Sequence, residues 1–119
     1  DCVMVSNAAY SKLTVKKVPA FMSQDIVTQL LREELGFDGI VMTSPLNDNV
    51  IENNYTNEFA VVEAVKAGCD LIVLPGNFKE CYEALITAVE EGRIDEKVIN
   101  TSVRRILQNK IQRGILVLE

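Results

Sequence analysis

Three short, continuous apolar runs punctuate the chain: Cys2 to Val5, Gly39 to Met42 and Leu71 to Leu74. None alternates apolar with polar, so each reads as a strand buried on both faces. After each run come apolar residues at helical spacing. A covered strand followed by a helix is the unit of a parallel α/β protein, joined by right-handed crossovers. The helices carry their own punctuation. Ser23 is placed to cap a helix from about Gln24 to Leu35, with Ile26, Val27, Leu30, Leu31 and Leu35 on one face and Gly36 as its stop. Thr56 or Asn57 opens a second, with Phe59, Ala60, Ala64 and Val65 inward and an end near Gly68. Asn77, with Glu80 three residues on, resembles a capping box. It precedes a stripe of Phe78, Cys81, Leu85, Ile86 and Val89 that closes at Gly92. Asp95 caps a last long helix, with Ile99, Val103, Ile106, Leu107 and Ile111 along one side and Gly114 at its end.

Long loops, 6–22 and 43–55, follow the first two strands. In a parallel sheet the C-terminal ends of the strands are where sites are built. Asn7, Ser44 and Asp48 are therefore the candidates for chemistry. Each has a structural alternative. Ser44-Pro45 is a turn signal, and the hydroxyl of Thr43 or Ser44 can bond loop backbone. Asn7 can serve a turn, and Asp48 can be a solvated loop carboxylate. At the opposite end of the strands, Asp38 and Asp70 are expected in solvated turn or cap roles.

Composition narrows the chemistry. With 119 residues, a single domain is expected. The net charge of −5 argues against nucleic acid, which calls for a basic surface. No apolar run approaches the ~18 residues of a membrane span. The first residues lack the form of a signal peptide and read as the inside of a strand, so the chain is expected to begin mid-fold. There is no histidine, which removes Ser-His-Asp and Cys-His schemes and most zinc sites. Cys2, Cys69 and Cys81 are odd in number and lack C-x-x-C spacing, so they read as reduced thiols. No metal or cofactor is expected. Gly76-Asn77 reads as a helix start without a phosphate loop. The sequons at Asn54 and Asn100 coincide with helix beginnings or interiors, so capping or solvated surface explains them. Arg104-Arg105 with Lys110 and Arg113 reads as a solvated basic face.

Four segments, "MVSNAAY", "LLREELGFDGIVMT", "AVKAGCDLIVLPG" and "SVRRILQNKIQRGIL", stand in a telling order. In order and spacing they resemble the catalytic barrel of glycoside hydrolase family 3, most nearly its bacterial β-N-acetylhexosaminidase branch. The resemblance implies a TIM-type (β/α)8 barrel, which takes about 250 residues. Residues 1–119 then correspond to a single C-terminal fragment: the last three βα units plus a C-terminal helix. In that family the strand matching Gly39–Thr43 is followed directly by an aspartate, the nucleophile of a retaining mechanism. Here the position holds Ser44. A serine hydroxyl is a poor nucleophile without a base. Asp48 stands where the branch has an apolar residue, and a substitute nucleophile must be placed within about half an ångström. The family's acid/base and sugar-binding histidine segments lie earlier in the barrel.

The intact family hydrolyses terminal N-acetylhexosamine bonds, so the implied partner is a glycan containing N-acetylglucosamine, with Asn7 and Asp48 as sugar-facing candidates. This chain alone is expected to be inactive. The alternative is a non-catalytic binding or assembly domain of the same ancestry. Open sheet edges, and barrel-facing side chains that include Val3, Val5, Ile40, Met42, Ile72 and Leu74, imply a homodimer or association with the missing half-barrel. A bacterial protein of this kind is cytoplasmic or secreted, and nothing in the chain separates the two.

Overall fold

The computed structural model describes residues 2–15, 17–73 and 76–117. Strand β1 (Cys2–Val5) leads through a long loop and a 3-10 turn (Ala20–Met22) into a π helix (Asp25–Glu34). Strand β2 (Ile40–Thr43) follows, then α1 (Asn49–Glu52), α2 (Asn57–Ala67), α3 (Phe78–Glu90) and α4 (Glu96–Gln112). β1 and β2 are parallel, pairing Cys2 with Ile40, Val3 with Val41, Met4 with Met42 and Val5 with Thr43. The expected third strand is reduced to a single parallel bridge, Leu71 with Met42. Its backbone still runs along β2, since Thr43 N donates to Leu71 O at 3.0 Å and Leu46 N donates to Val73 O at 3.0 Å. The regular ladder stops because the Thr43 side chain enters it: Val73 N donates to Thr43 Oγ1 at 3.1 Å. Leu74 lies outside the described residues. The architecture is mixed α/β, with a small parallel sheet and several helices.

The register sorts the sheet faces differently from the expectation. Partners in a parallel pair share a face, so Val3 and Val5 lie with Val41 and Thr43, not with Met42. Val5 and Val41 belong to the core, and Val3 and Ile72 pack against it. Val3, Val5 and Ile72 thus face the helix layer with Val41, correcting the assignment of these three to the barrel-facing set. Cys2 and Met4 point the other way, and Met4 is 55% exposed. The core between sheet and helices is filled by Phe21, Val27, Val41, Leu46, Ile51 and Val61, all essentially inaccessible.

Helix boundaries follow the polar caps. Thr56 Oγ1 accepts from Phe59 N at 3.2 Å, and Asn77 Oδ1 from Glu80 N at 3.4 Å. Asp95 Oδ1 accepts from Lys97 N at 2.9 Å. Each satisfies a backbone donor that the first helical turn leaves open. Ser23 departs from its expected role: no side-chain cap opens the π helix, and the Ser23 carbonyl accepts from Ile26 and Val27 instead. The wider winding, with Leu35 N bonding Leu30 O at 2.9 Å, turns Leu35 outward to 68% exposure. Phe59, expected inward, is 51% exposed and stacks on Tyr55 at a ring separation of 6.0 Å. Phe78 and Ile86 on α3 are exposed too, and so are Val103, Leu107 and Ile111 on α4.

Candidate functional site

The parallel register brings the C-terminal ends of β1 and β2 together. Ser44 N continues the ladder by donating to Val5 O at 2.9 Å. Asn7, two residues beyond β1, and Ser44, one beyond β2, therefore leave the same end of neighbouring strands. The loop after β1 folds back on itself here. Ser6 Oγ accepts from Ala8 N at 3.0 Å, while Ser6 O and Ala8 O accept from Phe21 N and Ala20 N. Asn7 is half-buried within that turn.

The two hydroxyls at the end of β2 have separated fates. Thr43 is fully buried and spends its Oγ1 on Val73 N, a loop-backbone role of the kind expected for this pair. Ser44 Oγ is buried with no hydrogen-bond partner among the described residues. A hydroxyl in that state costs about 1–3 kcal/mol relative to a satisfied one. Asp48, four residues on, is committed elsewhere. Its Oδ1 accepts from Val50 N at 2.8 Å as the N-cap of α1. Structure thus places Asn7 and Ser44 at one strand end and holds the Asp48 carboxylate in a cap. Among the described residues no three histidine, cysteine or acidic side chains could hold a metal ion. No helix there is long and apolar enough to cross a membrane.

The most elaborate polar constellation sits at the opposite end and overturns the expectation for Asp70. Its side chain is 0% exposed. Asp70 Oδ2 accepts from Arg32 Nη2 at 2.6 Å and from Val41 N at 2.9 Å. Asp70 Oδ1 accepts from Ser102 Oγ at 2.7 Å and from Arg105 Nη1 at 3.1 Å. Arg32 also donates to Gly39 O at 3.0 Å and Gly68 O at 3.1 Å. One carboxylate thereby joins β2, the π helix and α4. Arg105, read as part of a solvated face, is one of its partners. The signal in sequence was the Ser102–Arg105 spacing of three, which puts both on one helix face. Nothing local pointed that face at a residue more than 30 positions away.

Burial governs the thiols. Desolvation pushes the Cys69 thiol up to about 12, with the neighbouring Asp70 charge adding to it. Cys69 Sγ donates to Phe21 O at 3.4 Å. Cys81 is raised by burial as well. The Glu58 carboxylate at the start of α2 is lowered, chiefly by a backbone N–H hydrogen bond.

A parallel ladder with its long loops at the strand ends, backed by helices, is the framework of an α/β domain whose chemistry sits on those loops. The chain belongs to glycosyl hydrolase family 3, since residues 1–109 match the family model of its N-terminal domain. Similar solved structures include a family 3 β-N-acetylglucosaminidase from Paenibacillus sp. str. FPU-7, 37% identical with a TM-score of 0.93. That match covers 100% of this chain and 24% of the other. Among curated relatives, β-hexosaminidase A of Pseudoalteromonas piscicida is 28% identical over 91% of this chain and 21% of its own length. A probable β-glucosidase C of Aspergillus oryzae is 37% identical over 76% of this chain and 16% of its own. The chain therefore spans a quarter or less of the length of these three relatives.

Proposed function

We propose that residues 1–119 are the C-terminal part of a (β/α)8 catalytic barrel, its last three βα units and an added helix. The parent reaction is retaining hydrolysis of terminal N-acetylhexosamine bonds, and this chain alone is inactive. The observation that carries this reading is the end of β2. In the family resemblance that position belongs to the nucleophilic aspartate. Here it is Ser44, whose buried hydroxyl has no base to activate it. The nearest carboxylate along the loop, Asp48, holds a helix cap and would have to leave it to act. Asn7 and Asp48 remain the sugar-facing candidates of the intact protein, by their placement on the loops. The β-hexosaminidase and β-N-acetylglucosaminidase relatives support an N-acetylhexosamine substrate, and the β-glucosidase relative supports the broader class of β-glycosides. A non-catalytic binding or assembly role has one observation in its favour, the same serine.

Two polypeptides test this reading side by side: the present chain, and one extended by the upstream half of the barrel. Ser44→Asp leaves the short chain inactive towards an aryl β-N-acetylglucosaminide, because the general acid is absent. The same change in the extended polypeptide gives turnover. Rescue of the short chain would contradict the reading and place the acid within these residues. An inert extended variant that still binds sugar would favour the non-catalytic role.

A further inference from the structure

Charge is unevenly spread along this chain. Residues 2–24 hold three lysines and no acidic residue, and all 17 acidic residues lie outside that stretch. The loop after β1 falls within it and also exposes apolar side chains. Val15 is 97% exposed, and Tyr10 and Leu13 are exposed as well. Lys12 and Lys17 stand in water beside them in sequence, and among the described residues neither enters an ion pair. Asp25 and Glu34 share a groove with Lys12 and Leu13 and lower the local charge without pairing with either lysine.

Backbone hydrogen bonds give this loop its shape. Ala20 N donates to Ala8 O at 2.9 Å across the neck. Tyr10 O accepts from Leu13 N at 2.9 Å and from Thr14 N at 3.2 Å, which closes a turn. Asp25 Oδ2 accepts from Val15 N at 3.4 Å and ties the turn to the π helix. Apolar side chains presented in this way, among unpaired cations, mark a contact surface. We propose that this loop docks on a membrane surface rich in anionic lipid. Lysines at such a surface are drawn to the head groups, and exposed apolar side chains enter the upper acyl region. A soluble polyanion would satisfy Lys12 and Lys17 but leave Leu13 and Val15 in water, so lipid is the occupant the loop fits. The acidic remainder of the chain turns the molecule with this loop towards a negative surface. The contact is peripheral and goes beyond the proposed function, since it holds whether or not the parent barrel is catalytic.

Co-sedimentation of the chain with vesicles tests it. One set is phosphatidylcholine alone, and the other is phosphatidylcholine mixed with phosphatidylglycerol in equal parts. The expected result is binding to the mixed vesicles that falls as salt is raised, with much weaker binding to phosphatidylcholine. Lys12→Ala and Lys17→Ala each weaken binding to the mixed vesicles about 5-fold. Val15→Ser weakens it by about the same factor. All three changes fall on exposed side chains and leave the core whole. Equal binding to both vesicle types would assign the contact to apolar faces elsewhere on the molecule and overturn the proposal. A loss in the lysine variants with none in Val15→Ser would leave charge alone, the signature of a soluble polyanion, and would overturn it too. So would the absence of binding to the mixed vesicles.

Discussion

Asp70 shows how much one residue can depend on the fold. Its carboxylate makes four hydrogen bonds, to residues 38, 29, 32 and 35 positions away in the chain. Taken as sequence, it is an acidic residue before a strand, and a solvated turn was the natural expectation. The register of partners so distant is written only in tertiary packing. Removing it strands the buried Arg32 guanidinium. Asp70→Ala is therefore expected to cost about 3–5 kcal/mol, read from urea denaturation midpoints. Arg104→Ala, on the exposed face of α4, should stay within about 0.5 kcal/mol. The thiols give a second residue-scale test. A thiol raised by folding from 9.0 to about 12 contributes stability that is fully present below 9.0 and lost as pH climbs towards 12. Native Cys69 should therefore resist a thiol-specific reagent at pH 8, while exposed Cys2 reacts at once. Equal labelling of the two would contradict its burial.

At the scale of elements, caps and strand cores were readable in the sequence, because the signals are local. Thr56, Asn77 and Asp95 each accept the backbone bond their type and position implied. The winding of the π helix was not readable. Its apolar spacing fits 3.6 residues per turn, whereas the wider turn, with Leu35 N bonding Leu30 O, leaves Leu35 exposed. The third strand was found in the right place but not at the right length, because Thr43 competes with backbone for the ladder. At the strand ends, Asn7 and Ser44 could be placed from sequence, but not the cap that occupies Asp48, since Asp48 precedes a helix of only 4 residues. Gly68, the C-cap of α2, packs against Thr28 and Val27 of the π helix. Gly68→Ala adds a Cβ 2.9 Å from Thr28 Oγ1 on a left-handed backbone, and more than about 1 kcal/mol of stability should be lost. Thermal unfolding of the pair measures it, and an unchanged midpoint would show that the two helices can separate.

On the scale of the whole molecule, apolar residues stand in water on several sides. Met4 lies on the open sheet face, Phe78, Tyr82 and Ile86 follow one stripe of α3, and Val103, Leu107 and Ile111 follow one of α4. Burying a side chain of this kind fully is worth roughly 1.5–3 kcal/mol. The proposed barrel segment would present faces of this extent to its neighbouring units. Light scattering behind a sizing column should therefore give a dimer at tens of micromolar, or a complex with the upstream half-barrel when it is supplied. A monomer that binds no hydrophobic dye would show that the chain covers these faces itself.

Under the proposed function, family 3 chemistry has lost its nucleophile at the end of β2, where Ser44 stands. Turnover of an aryl β-N-acetylglucosaminide by the purified chain, paired with mass spectrometry for a trapped glycosyl adduct, tests it most directly. The expected result is no turnover above buffer and no adduct. Turnover that survives further purification, with an adduct on Asp48 or any other residue of the chain, would contradict it.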